Sequence, residues 1–72
     1  MNIRINLIKF RKTRAKGKRS ITYFAEKLGI TRQHYSDIEK GMSNPSFKLM
    51  ERFEKVFEGE YQDIWELFKK EV

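Results

Sequence analysis

The chain contains no cysteine, a single histidine and a single proline. Without cysteine there is neither a disulfide nor a thiolate metal site, so packing alone must hold the fold. One histidine, His34, leaves too few soft ligands for zinc, and no metal site is expected. No apolar run approaches the ~18 residues of a membrane span, and the N-terminus has no signal-like apolar segment. A soluble, cytoplasmic protein is therefore expected. Alternating apolar and polar residues bounded by hairpin dipeptides are also missing, which argues against strands. No nucleophile has a base beside it and no carboxylate pair stands in an evident pocket. An enzyme is not expected, nor is a cofactor or a small-molecule ligand. The 72 residues form one domain near the lower size limit for a core without staples. No repeat, low-complexity stretch or linker divides them.

Charge is what the chain has in excess, and it is unevenly placed. Residues 1–40 hold eleven Lys/Arg against three acids, whereas residues 41–72 hold five against seven. Between Lys9 and Arg19, seven of eleven residues are basic and none is acidic. A field polarised in this way favours a polyanion on one side and leaves the other side free. A plainly solvated basic surface is the competing explanation.

Helical signals recur along the whole chain. Ile3, Leu7 and Phe10 fall at i, i+4 and i+7, which predicts a first helix reaching about Ala15 and ended by Gly17. Ser20 can cap a second helix, Ile21–Leu28, with Phe24, Ala25 and Leu28 inward and Gly29 as its left-handed stop. Thr31 can cap a third helix running to about Lys40 and stopped by Gly41. "GMSNPS" reads as a loop, since Pro45 cannot continue a helix and biases Asn44 away from helical angles. Ser46 can cap a fourth helix, Phe47–Phe57, with Phe47, Met50, Phe53 and Phe57 as its apolar stripe, widened by Leu49 and Val56. A last helix is expected over Tyr61–Lys70, with Tyr61, Ile64, Trp65 and Phe68 on one side and Asp63 in its first turn. The fold class is all-α, with five short helices.

"SITYFAEKLGITRQHYSDIEKGMSNPS", residues 20–46, resembles the helix-turn-helix unit of the xenobiotic-response-element family, the lambda repressor/Cro-like group. The pattern is Ser20, then Phe24–Ala25, Leu28-Gly29-Ile30 and the hydroxyl cap Thr31. It continues with Tyr35, Ile38, Glu39 and Gly41 and closes with Asn44-Pro45-Ser46. The flanking helices extend the likeness over nearly the whole chain, and "DIWELF" is similar to the last helix of short stand-alone members. The resemblance implies a five-helix DNA-binding domain whose second and third helices form the motif, the third entering the ~12 Å major groove.

By that resemblance, Arg32, Gln33 and Asp37 occupy the positions that reach base edges, with Ser36 a small neighbour permitting close approach. Arg32 can pair with guanine O6/N7 and Gln33 with adenine N6/N7, each worth ~1–3 kcal/mol of discrimination. Arg32 also has a phosphate-only alternative. Asp37 is repelled by the DNA backbone, and three roles stand open: accepting from cytosine N4, excluding wrong bases, or bridging to Arg32 or Lys40. Lys40, Ser43 and Asn44 lie near a backbone or flanking base, Thr31 stands at the helix entry, and His34 is a packing or phosphate-facing residue. The family usually has Gln at the position of Ile21, where it contacts phosphate; here that contact is lost or passes to Arg19, Ser20 or Thr22. The connection "KTRAKGKRS" is unusually basic, which makes Lys16, Lys18 and Arg19 phosphate-clamp candidates. Glu39 is implied to pair with an arginine of the first helix, Arg14 by ungapped counting and Arg11 as second choice.

The resemblance thus implies a sequence-specific regulator of transcription, most simply a repressor that occupies a palindromic operator as a dimer. Tyr61, Ile64, Trp65 and Phe68 form a large apolar set for a terminal helix; it closes the core and offers a dimer surface. The alternative of another class is an antitoxin-like module that binds a protein partner through its C-terminal helix and autoregulates on DNA. An RNA-binding adaptor is the weakest option, because the aromatics fall at core spacing rather than as stacking platforms.

Overall fold

Capping chemistry accounts for most of the helix boundaries in the computed structural model, which describes residues 2–70. Positions 1, 71 and 72 of the expected domain lie outside that range. Five helices are present among the described residues: α1 (Ile5–Lys12), α2 (Ile21–Leu28), α3 (Arg32–Glu39), α4 (Phe47–Val56) and α5 (Ile64–Phe68). Ser20, Thr31 and Ser46 each accept a hydrogen bond from the backbone N–H three residues on, at 3.0, 3.1 and 3.1 Å. These satisfy donors that the first helical turn would otherwise leave orphaned.

One aromatic-rich core joins the helices. Phe24, Tyr35 and Phe53 are fully buried, and Phe24 stacks on Phe57 with centroids 4.7 Å apart. Phe53 meets Phe68 edge-on at 5.1 Å, so α5 seals the core over α4. Leu7, Leu28 and Ile38 fill the remaining centre. α2 packs against both α3 and α4, while α1 bridges α3 and α5.

Two helices are shorter than their apolar spacing predicts, and each has a local cause. α1 begins at Ile5 rather than Ile3 because Arg4 is tied elsewhere. Its backbone N–H donates to the Glu39 carbonyl at 2.9 Å. Its guanidinium donates to the carbonyls of Phe68, Ile38 and Ser43 at 2.8, 2.6 and 2.8 Å and to Asn44 Oδ1 at 2.9 Å. α1 ends at Lys12 rather than Ala15, where the Thr13 hydroxyl donates to the Phe10 carbonyl at 2.7 Å. Of the expected trio only Leu7 is fully buried; Phe10 is half-buried, and Ile3 lies outside the helix. α5 spans only Ile64–Phe68, because Asp63 is its N-cap, accepting from the Trp65 N–H at 2.9 Å, and Lys69 is already extended.

Helical geometry also corrects two core assignments. Phe47 is 71 % exposed, since at 100° per residue it lies roughly 100° round α4 from the centre of the buried set Leu49, Met50, Phe53 and Phe57. Trp65 is 65 % exposed for the same reason, and Leu67 takes the inward place expected of it beside Ile64 and Phe68.

Glu39 is paired with Arg11 and not with Arg14. Arg11 Nε and Nη2 donate to the two Glu39 carboxylate oxygens at 2.6 and 3.0 Å, a bidentate pair with both side chains largely buried. The second choice of ungapped counting is thus the partner, because α1 ends at Lys12 and Arg14 is carried into the turn beyond it. There Arg14 pairs with Glu60 and lies over the rings of Phe10 and Phe57 at 5.1 and 5.6 Å. The Arg11 guanidinium is held above its usual pKa by its hydrogen bonds to Glu39. Burial lowers the pKa of Arg4, whose acceptors among the described residues are neutral. Two of those acceptors, at Ile38 and Phe68, belong to the last turns of α3 and α5, where a positive charge is favoured.

The chain reversals after α2 and α3 need glycine for two reasons. Gly29 (φ 71°) and Gly41 (φ 76°) adopt left-handed angles. A Cβ on Gly41 would also lie 1.7 Å from the Asn2 carbonyl oxygen, where the N-terminal backbone crosses the end of α3. Gly59, also left-handed, has open space around it. Gly59→Ala should therefore cost about 1 kcal/mol of unfolding free energy, and Gly41→Ala roughly 3 kcal/mol or more, as read by urea denaturation. Arg11→Ala, which strands a buried carboxylate, should cost about 3 kcal/mol, and Arg14→Ala only about 1 kcal/mol.

Candidate DNA interface

The polar face of α3 follows from how the helix is held. Tyr35, Ile38 and Glu39 are buried, and their spacing of three and four places them on one stripe against the core. Gln33 and Lys40 lie on the opposite side and are exposed, with Arg32 and His34 exposed at the helix start. The Tyr35 hydroxyl is buried without a hydrogen-bond partner among the described residues. Burial, and next the charge of nearby Glu39, push it well above the usual tyrosine pKa. Tyr35 is thus an anchor, kept neutral, and takes no part in the outer face.

Three elements converge beside that face. Ile21 and Thr22 from the start of α2 share a shallow groove with Arg32, Gln33 and Ser36 of α3. The third element is the basic connection, and Arg11 couples it to α3: while Nε and Nη2 hold Glu39, Nη1 donates to the Arg19 carbonyl at 2.7 Å. Arg19 immediately precedes the Ser20 cap, so one guanidinium sets both the entry to α2 and the end of α3. Lys16, Lys18 and Arg19 are all exposed on this connection. Ser20, Thr22 and Thr31 are exposed too; the Ser20 and Thr31 oxygens accept from the backbone, which leaves their O–H groups free to donate.

Beyond the other end of α3, Lys40 is exposed and the loop is fastened from beneath. The Asp37 carbonyl accepts from the N–H groups of Met42 and Ser43 at 2.9 and 3.2 Å. Arg4 holds the Ser43 carbonyl and Asn44 Oδ1 from inside. Asn44 keeps its side-chain N–H₂ for an outward acceptor. Arg4 was invisible to sequence reasoning: a basic residue ahead of a helix gives no signal that it will be buried.

Asp37 bridges to neither Arg32 nor Lys40. Its Oδ1 accepts from Gln33 Nε2 at 2.8 Å, one helical turn away. The C-terminal set also divides. Ile64 and Phe68 are buried in the core and are unavailable as a surface, whereas Trp65 is exposed and Tyr61 half-buried. Glu54 lies on the exposed side of α4.

Among the described residues, no helix is long and apolar enough to cross a membrane. No curated protein and no solved structure matches the chain. A helix-turn-helix family model matches residues 10–64, from within α1 to the first residue of α5. With that match, the held recognition helix and the all-α arrangement, the chain belongs to the xenobiotic-response-element, lambda repressor-like family of DNA-binding helix-turn-helix regulators.

Proposed function

We propose that the protein is a cytoplasmic repressor that binds a palindromic operator as a homodimer and blocks transcription by occupancy. The observation that carries this reading is the division of α3. One stripe is buried to the last atom of Ile38, and the opposite side offers Gln33 and Lys40, with Arg32 exposed at the helix start and Thr22 exposed beside it. In the proposed complex α3 lies in the major groove, with Arg32 on guanine and Gln33 on adenine, and with Ser36 allowing close approach. Lys16, Lys18, Arg19, Ser20 and Thr22 clamp phosphates at one end of the helix. Thr31 and His34 do so at its start, and Lys40, Ser43 and Asn44 beyond its end. No catalytic role is assigned.

One recognition helix spans too few base pairs for an operator, whereas two copies related by a two-fold axis read half-sites about 34 Å apart. Trp65, with the exposed part of Tyr61, is assigned to the contact between copies. An antitoxin-like role makes a different demand on the same residues, since Trp65 would then seat a stoichiometric second protein.

Selection from random duplexes at about 100 mM salt should return one palindrome, bound with a steep salt dependence. Gln33→Ala should relax the choice at one base position in each half-site. Lys18→Ala should weaken all sequences alike and reduce the salt slope by about one. Recovery of no consensus contradicts the proposal; an asymmetric consensus contradicts the dimer.

A further inference from the structure

Gln33 is an ambiguous reader when left to itself. Its amide carries an acceptor on one side and donors on the other, and a rotation of 180° about the last side-chain bond exchanges them. Adenine requires one arrangement, with the amide oxygen accepting from N6 and an N–H donating to N7. An unrestrained glutamine therefore spends part of its time presenting the wrong pattern, and loses rotamer freedom when it binds.

The Gln33 side chain has one partner among the described residues, Asp37, whose Oδ1 accepts from Nε2 at 2.8 Å. Of its groove neighbours, Ile21 is apolar, and Thr22, Arg32 and Ser36 make no hydrogen bond to the amide among the described residues. A carboxylate accepts and never donates, so Asp37 tolerates only the orientation in which nitrogen faces it. One N–H is thereby committed, and Oε1 and the second N–H remain. These are the two groups a bidentate pair with adenine uses. The Asp37 backbone is itself fixed, its carbonyl accepting the two N–H groups that close the end of α3, and the residue is half-buried. From this geometry we infer that Asp37 is a positioning residue for base readout: it holds the Gln33 amide in the adenine-reading orientation and touches no base itself.

This inference rests on the proposal that α3 reads DNA, and it accounts for a carboxylate on a surface facing phosphates. The electrostatic cost is borne over the whole complex, while the gain appears at a single base pair. Asp37→Asn removes the charge and adds N–H donors, so that either orientation of the Gln33 amide finds a partner. Asp37→Ala removes charge and acceptor alike.

The test is base selection by wild type, Gln33→Ala, Asp37→Ala and Asp37→Asn, together with the double variant Gln33→Ala/Asp37→Ala, each checked for an unchanged Tm. Wild type should prefer its base pair at the Gln33 position about tenfold over the alternatives. Asp37→Ala should reduce that preference to within about threefold at the same base pair, with no further change in the double variant. Asp37→Asn, which meets either orientation of the Gln33 amide, should also reduce the preference to within about threefold and bind all duplexes more tightly. In the free protein, the Gln33 side-chain amide resonances should move in Asp37→Ala and stay in place in Lys40→Ala. A wild-type consensus left unchanged by Asp37→Ala overturns the positioning role alone. So does a relaxed position different from the one Gln33→Ala relaxes, which makes Asp37 a base reader. Absence of any wild-type consensus overturns the DNA-reading proposal, and amide resonances indifferent to Asp37 overturn the positioning role independently of DNA.

Discussion

The pair between Arg11 and Glu39 is the constraint on which the arrangement of the interface depends. Glu39 is 4 % exposed, and a carboxylate so far from water is tolerable only with its charge matched and its lone pairs engaged. Arg11 does this with a two-point fork whose geometry fixes the angle between α1 and α3, and its remaining N–H group holds the carbonyl ahead of α2. An apolar contact would keep these elements together without fixing their register. The directional pair does both, and it sets the exposed face of α3 and the basic connection relative to one another.

Arg4 performs a related task at the far end of α3 by other means. Its acceptors among the described residues are carbonyls at the ends of α3 and α5, the Ser43 carbonyl and the Asn44 amide oxygen. The close passage of the N-terminal backbone over Gly41 belongs to the same arrangement. Recognition helix, following loop and terminal helix are thus tied to one side chain, so that the loop residues proposed to face DNA are anchored from within. The acidic residues gather elsewhere. Glu51, Glu54 and Glu58 border an open groove with Tyr61, whose pKa is raised first by burial and then by the charges of Glu54 and Glu58. Such a surface repels a polyanion, and with the basic connection it favours approach of DNA in one orientation.

The motif was legible in the sequence because it depends on local rules. Ser20, Thr31 and Ser46 cap as their spacing predicts, Gly29 and Gly41 turn the chain, and Phe24, Ala25, Leu28, Tyr35 and Ile38 are buried. What escaped depends on contacts distant in the chain or on small angular differences. Arg4 reaches residues 34 to 64 positions away, and no periodicity encodes that. Ungapped counting puts Arg14 ahead of Arg11, but α1 ends three residues earlier than its apolar spacing predicts, and Arg11 is the arginine that faces Glu39. Phe47 and Trp65 show that an apolar residue near a stripe is not in it; about 100° of rotation separates core from solvent. The Gln33–Asp37 pair is within reach of spacing, since a turn of helix brings such side chains together, but spacing alone does not rank it above the base-facing and cation-bridging roles open to Asp37.

Amide chemical-shift mapping during titration with an operator-containing duplex tests whether the outer side of α3 and the flanking basic connection meet DNA. Shifts should concentrate at residues 16–22, 31–37 and 40–44, with little change at 51–62. Shifts concentrated at 51–62 and around Trp65, with α3 unperturbed, would contradict that contact.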